Sequence, residues 1–212
     1  MTKIIAIANE KGGVAKTTTT ASLGGALVEN LDIIPANSEM NLAERFLPIR
    51  DNYKHILSKA MRQLTTYDTI LLDCPPSMGA VSQNALVAAN LVIIPTQAEY
   101  LSTHALKNIL AIIQNLQQGE NPNLKHRVLV TMLDIRLNSH KYIVEQLRSS
   151  LGNIVFQTSI QIDSKLRECT VEGLPITHFT PQSRGAEQYR ALAQELNLNV
   201  TPKGYTQFVT LR

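Results

Sequence analysis

Lys16 and Thr17 follow a Gly12-Gly13 pair in the stretch NEKGGVAKTTTT, Asn9 to Thr20, directly after a short apolar run. An ammonium, a hydroxyl and a permissive backbone in that order suit one task, which is holding a polyphosphate. Consecutive N–H groups of such a loop point into one concavity at a helix start, where the helix dipole also favours negative charge. Lys16 would reach the β- and γ-phosphates, and Thr17 would give its hydroxyl to Mg²⁺. Gly12, Gly13, Val14, Ala15 and Thr18 would complete the cradle. The common form of this loop, G-x-x-x-x-G-K-[ST], has glycines where this chain has Glu10 and Ala15. Ala15 adds a Cβ in a tight turn, and a right-handed or bridge conformation is expected there. A chance lysine in a glycine turn is the competing reading. It is disfavoured because strand, loop and Thr-rich helix start come in the required order.

A second group with chemistry is Asp73, which closes the apolar run TILLD. An aspartate at the carboxyl end of a buried strand is where an α/β sheet presents a carboxylate to a Mg²⁺ held over phosphates. Alone this signal is weak, and with the loop it is strong. Cys74, the next residue, reads as a small packing side chain.

These groups need a sheet to carry them. Buried-strand patterns cover Lys3–Ala8, Leu31–Pro35, Thr69–Asp73, Leu91–Pro95, Arg127–Met132 and Ile154–Phe156. Helical patterns lie between them at Thr17–Glu29, Asn41–Phe46, Tyr53–Leu64, Ser82–Ala89, Ser102–Gln117 and Ser139–Ser150, and a final one covers Gly185–Leu196. Asn138 or Ser139 can cap the sixth. Strands alternating with helices predict a three-layer α/β fold with a mostly parallel central sheet flanked by helices on both faces. Residues 1–196 read as one domain and 197–212 as a tail. Pro202 and Gly204 break helical periodicity there, leaving a terminal strand or a poorly ordered segment.

With 212 residues and 44% hydrophobic content, the chain is long enough for one buried core and short for two. Two cysteines cannot build a disulfide framework, and no secretory leader pattern opens the chain, which points to a cytosolic protein. No apolar run approaches the roughly 20 residues of a membrane span. The net charge of +3 permits a nucleic-acid partner without requiring one.

KGGVAKTTT resembles the deviant phosphate loop of the ParA/MinD group of P-loop ATPases, in which a lysine precedes the glycine pair and no glycine is expected at position 10. The resemblance continues through YDTILLDCPPSMG (Tyr67 to Gly79), NALVAANLVIIPTQAEYLSTHAL, VTMLDIR and GLPITHFTPQSRGAEQYRALAQEL. It implies ATP and Mg²⁺ as cofactors, slow partner-stimulated hydrolysis and a nucleotide-dependent homodimer. Lys11 matches the lysine that reaches the nucleotide of the partner subunit. Lys11, Lys16 and Asp73 would then be the catalytic set, Thr17 and Asp73 the metal ligands, and Thr131 and Met132 part of the base pocket. Ala15 departs from the family's usual glycine.

One piece of the pattern is missing. Relatives carry a strand after the first helix that ends in an aspartate-rich D-x-D-P turn, whose aspartate positions the attacking water. Here GGALVEN runs straight into LDIIPANSEMNLAERFL. Asp32 is no substitute, because it starts its strand, whereas catalytic groups cluster at carboxyl ends. Two readings stay open: a true deletion, which would cripple hydrolysis, or a mobile switch left out between Asn30 and Leu31. The second is preferred, since a βαβ connection needs a few loop residues. A Cα separation near ~3.8 Å between Asn30 and Leu31 would exclude it.

Basic residues gather in the C-terminal third. The resemblance implies that Lys165, Arg167, Arg184 and Arg190 contribute to a surface that binds DNA without sequence preference, placing the protein in the cytoplasm on the nucleoid. It further implies a ParB-like or adaptor partner on a cargo, which could be a plasmid, a chromosome or a protein compartment such as the carboxysome. Alternatives are a MinD-like membrane-associated ATPase, which the Pro- and Gly-containing tail disfavours, a nucleotide-gated scaffold with little hydrolysis, and a P-loop synthetase or small-molecule kinase, against which Lys11 argues.

Overall fold

KIIAI forms strand β1 (Lys3–Ile7) because both its faces are covered: Ile5 and Ile7 pack on one side of the sheet and Ala6 on the other. A computed structural model describes residues 2–28, 31–196 and 206–210, the last five as backbone only. After β1 come α1 (Lys16–Leu27), β2 (Leu31–Ile34), α2 (Glu39–Phe46), α3 (Ile56–Met61) and β3 (Thr69–Asp73). Next are α4 (Ala80–Ala88), β4 (Leu91–Gln97), α5 (Tyr100–Gln118), β5 (Lys125–Leu133), α6 (Asn138–Leu151) and β6 (Val155–Gln161). Helices α7 (Lys165–Val171), α8 (Ile176–Phe179) and α9 (Arg184–Glu195) precede β7 (Thr206–Thr210).

The described strands form one seven-stranded sheet in the order β2-β7-β3-β1-β4-β5-β6, and every pairing is parallel. The expected three-layer α/β architecture is what the chain adopts. One face of the sheet is covered by α4, α5 and α6 through Leu86, Ile109, Ile113, Val144 and Leu147, and the other by α1, α8 and α9 through Leu23, Leu27, Ile176, Tyr189 and Leu192. Because β1 sits between β3 and β4, the connections leaving its two sides diverge. Such a switch point opens a crevice at the carboxyl ends of the strands.

Several local expectations are corrected. LDIIP reads as a buried strand, yet β2 is an edge strand with Ile33 62% exposed. Neither Asn138 nor Ser139 caps α6; Leu137 holds the N-cap position without a side-chain bond. Helices α7 and α8 have no counterpart in the sequence patterns. Of the two readings of the tail, residues 206–210 follow the strand, and they enter the sheet between β2 and β3. Positions 197–205, 211–212 and the join at 29–30, where the missing switch was expected, lie outside the described residues. No described helix is long and apolar enough to cross a membrane.

Candidate nucleotide site

The loop after β1 is held by side chains before any ligand is considered. Asn9, fully buried, donates to the Pro95 carbonyl at 2.6 Å and accepts the Lys11 N–H at 3.1 Å. Thr131 donates from its hydroxyl to the Val14 carbonyl at 3.1 Å. Gly13 takes a φ of 71°, which its missing side chain permits, and a Cβ at Gly12 or Gly13 would meet nothing within 4 Å. The space beside both glycines is open to solvent.

Ala15 corrects an expectation. It is neither right-handed nor in the bridge region but left-handed, at φ 65° and ψ 35°, as the N-cap of α1. A Cβ in that conformation costs roughly 1–2 kcal/mol, which explains why glycine suits the position.

The two loop lysines rest on protein acceptors. Lys16, 8% exposed, donates to the Lys11 carbonyl at 3.0 Å. The Lys11 ammonium turns outward to the β4–α5 connection, donating to Gln97 Oε1 at 2.9 Å, Glu99 Oε2 at 2.8 Å and Ser102 Oγ at 3.1 Å. Glu10, the position without its glycine, accepts from Asn108 on α5 at 3.1 Å.

Thr17 donates to Asp73 Oδ2 at 2.7 Å, so the hydroxyl at the start of α1 and the carboxylate ending β3 are brought together as expected. Asp73 is 1% exposed. Two hard oxygens converging beside a phosphate cradle fit Mg²⁺, which is commonly held by one or two protein oxygens with the rest supplied by phosphates and water. Cys74 is buried, and its desolvation, reinforced by the Asp73 charge, pushes the thiol far up, which suits packing and removes it from acid–base chemistry. The segment after Asp73 ends at Gly79, where Glu44 from α2 accepts the Val81 N–H at 2.9 Å and caps α4.

Beside the loop, Ala15, Thr18, Thr131, Met132, Arg167 and Tyr189 line a cavity of about 300 Å³. Thr131 and Met132, expected in a base pocket, are both there. Met132 has a positive φ of 52° where the β5–β6 pairing shifts register. Tyr189 closes the floor; its buried hydroxyl meets Thr19 at 3.1 Å and its pKa is pushed up by desolvation.

The four basic residues sit on α7 and α9 around the turn at Ile162 and Asp163. Arg167 lines the cavity. Lys165 and Arg184 begin two helices that Asp163 joins, its carboxylate accepting from the Lys165 N–H at 3.0 Å and the Gly185 N–H at 2.9 Å. Lys165 is also paired with Glu168 at 2.6 Å, and Arg184 bonds the Ile162 carbonyl. Arg190 lies further along α9, donating to the Pro181 carbonyl at 2.7 Å.

A family model described as an AAA domain matches residues 26–126. The chain is 32% identical to a chromosome partitioning protein ParA of Myxococcus xanthus, over 95% of this chain and 90% of that protein. It is 33% identical to the sporulation initiation inhibitor protein Soj of Bacillus subtilis, over 94% of this chain and all of that one. The chain belongs to the ParA/Soj family of partitioning ATPases. Among solved structures, a cobyrinic acid a,c-diamide synthase of Mycobacterium smegmatis with bound ATP analogue and magnesium is 27% identical with a TM-score of 0.79, covering 93% of this chain and 94% of that one.

Asp32 does not supply the expected switch carboxylate: it accepts from the Tyr67 hydroxyl at 3.0 Å, at the amino end of β3 and away from the loop. Sequence reading of this ParA/Soj chain missed Gln97, Glu99, Glu44 and Asp163. Only Gln97 carried a usable signal, since it ends β4 at the carboxyl edge where such sheets present ligand-facing groups. The others act through pairings far apart in sequence.

Proposed function

We propose that this chain binds ATP with Mg²⁺ and forms an ATP-dependent sandwich dimer that lies on DNA and positions a cargo. The observation that supports it most is the meeting of Lys16, the open space beside Gly12 and Gly13 and the Thr17–Asp73 pair at the carboxyl ends of β1 and β3. The M. smegmatis neighbour holds an ATP analogue and magnesium on the same fold. Thr17 and Asp73 would hold the metal, whose charge would offset the β- and γ-oxygens. Lys16 would leave the Lys11 carbonyl for phosphate, Lys11 would reach the nucleotide of the other subunit, and the cavity at Met132 would take the base. Catalysis would be positioning and electrostatics, slow until a ParB-like or adaptor partner on a plasmid, chromosome or carboxysome-like cargo accelerates it.

Lys16→Ala is expected to weaken ATP binding by at least about tenfold and abolish ATP-dependent dimerisation, read by titration calorimetry and sedimentation velocity. Unchanged binding sinks the reading. DNA association would rest on Lys165, Arg167, Arg184 and Arg190 of α7 and α9, with Arg167 also lining the cavity. Arg184→Glu should lower DNA retention and flatten its salt dependence. The cell compartment would be the cytoplasm, on the nucleoid.

A second reading, a nucleotide-gated scaffold with little hydrolysis, is favoured by one observation: Asp32, the aspartate closest in sequence to the expected switch, is committed to Tyr67. Single-turnover ATP hydrolysis separates the two.

A further inference from the structure

We infer that Glu99 is a built-in competitor of phosphate for Lys11, a latch that sets how much ATP is needed before the chain dimerises. The inference rests on the nucleotide-binding reading above and adds a regulatory contact to that site.

Lys11 is the loop's outer cation, and its ammonium has three acceptors within 3.1 Å: Gln97 at the end of β4, Glu99 on the β4–α5 connection and Ser102 in the first turn of α5. An ammonium has three protons to donate, so this set uses them all. For Lys11 to engage a phosphate, at least one of these bonds must break. The Gln97 side chain ties the parked lysine to the loop, because its amide nitrogen donates to the Gly13 carbonyl at 3.3 Å while its oxygen accepts from Lys11. Lys11, Gly13 and the start of α5 therefore move as one unit while the latch is shut.

The latch is also built to open. Glu99 is the N-cap residue of α5, at the positive end of a 19-residue helix. That end stabilises the carboxylate but disfavours the cation beside it. The Glu99 side chain makes no capping bond while it holds Lys11, but at this N-cap position the helix dipole would still favour its charge once Lys11 leaves, so the cost of release is smaller than for an isolated ion pair. The pair is moreover partly solvated, with Lys11 28% and Glu99 51% exposed, which places its strength in the range of surface pairs. A polyphosphate with several charges can outbid one solvated carboxylate, and a ligand with fewer charges does so less well. The contact thus favours response to a triphosphate over a diphosphate.

The test compares wild type, Glu99→Gln, Lys11→Ala and the double variant, with Mg-ATP and Mg-ADP as probes and dimer fraction by sedimentation velocity as readout. Glu99→Gln should lower the ATP concentration for half-maximal dimerisation roughly three- to fivefold, the size expected for a surface ion pair. It should also raise the dimer fraction in ADP. Because Lys11→Ala is itself expected to lose the dimer, the two backgrounds are compared by Mg-ATP affinity in titration calorimetry, where Glu99→Gln should tighten binding in the wild-type background and have no effect in Lys11→Ala. An unchanged midpoint in Glu99→Gln, or an equal affinity shift with and without Lys11, overturns the latch. If Lys16→Ala abolishes ATP binding while Glu99→Gln changes nothing, the latch fails and the ATPase reading stands; a wild-type chain that does not bind ATP sinks both.

Discussion

Glu44 and Asp163 each cap a helix from outside it and each lie against a glycine, at opposite ends of the candidate site. Glu44 reaches from α2 to the Val81 N–H of α4, just after the segment that follows Asp73. Asp163 accepts from Lys165 on α7 and Gly185 on α9, beneath the basic residues. A Cβ on Gly79 would sit 1.5 Å from Glu44 Oε1, whereas the closest atom to one on Gly185 is Leu166 Cγ at 3.1 Å. The first corner has no room unless the carboxylate itself leaves, and the second needs a neighbour to yield by a few tenths of an ångström. The segment after Asp73 is therefore tied to a movable carboxylate whose displacement costs the α4 cap, whereas the corner beneath the basic residues meets packed side-chain carbon.

The largest effect should come from Gly79→Ala. It expels the Glu44 carboxylate and leaves the α4 start uncapped, costing about 1–3 kcal/mol in denaturant unfolding. Because the damage runs through Glu44, Gly79→Ala combined with Glu44→Ala should be no worse than Glu44→Ala alone. Additive losses would break the comparison.

This pairing also shows where sequence reading stopped. The loop and Asp73 were legible because each is local: a residue type at a strand end or helix start carries its meaning within a few neighbours, whereas Thr131 and Met132 were named only through the family resemblance. Thr69–Asp73 was read to the residue for that reason. Glu44 and Gly79 lie in separate elements, and nothing near either one announces the other. Helices α7 and α8 were missed because, at seven and four residues, they are too short to show a periodic face and are held by tertiary contacts such as those of Asp163. Ala15 was recognised as odd, but its left-handed backbone could not be read from its name. β2 was misread because an apolar run does not say whether it lies inside a sheet or at its edge.

Asp163→Ala should cost about 1–2 kcal/mol, because it leaves two helix-start N–H groups without their acceptor, one at exposed Lys165 and one at buried Gly185. DNA retention should fall with it, since Lys165 and Arg184 lose their common anchor. A third carboxylate sharpens the contrast from the opposite helix end. Burial works to raise the pKa of Glu195, at the C-terminal end of α9, yet the N–H groups of Thr158 and Gln157 and the Arg127 guanidinium outweigh it and hold the carboxyl below its usual value. Its contribution is then fully present above the unfolded value of about 4.3 and is lost as pH falls through the lower folded one. Unfolding free energy measured across that window should fall less steeply in Glu195→Gln. Gly185→Ala should change stability least, within about 1 kcal/mol either way, as better helix propensity offsets the tight Leu166 contact. Its melting temperature checks the sign.

Strand β7 gives the sheet a particular history. Leu31 and Thr69 both pair with Thr206, so the sheet has a middle member that is synthesised long after its neighbours. Closing so long a loop is entropically expensive, and topologies rich in such pairings fold slowly. Before residues 206–210 arrive, β3 has a bare edge alongside Asp73 and β2 has no partner in the sheet. The nascent chain would thus expose a sticky ribbon beside its most chemically loaded strand, and a chaperone or early nucleotide capture would protect it until the sheet is sealed.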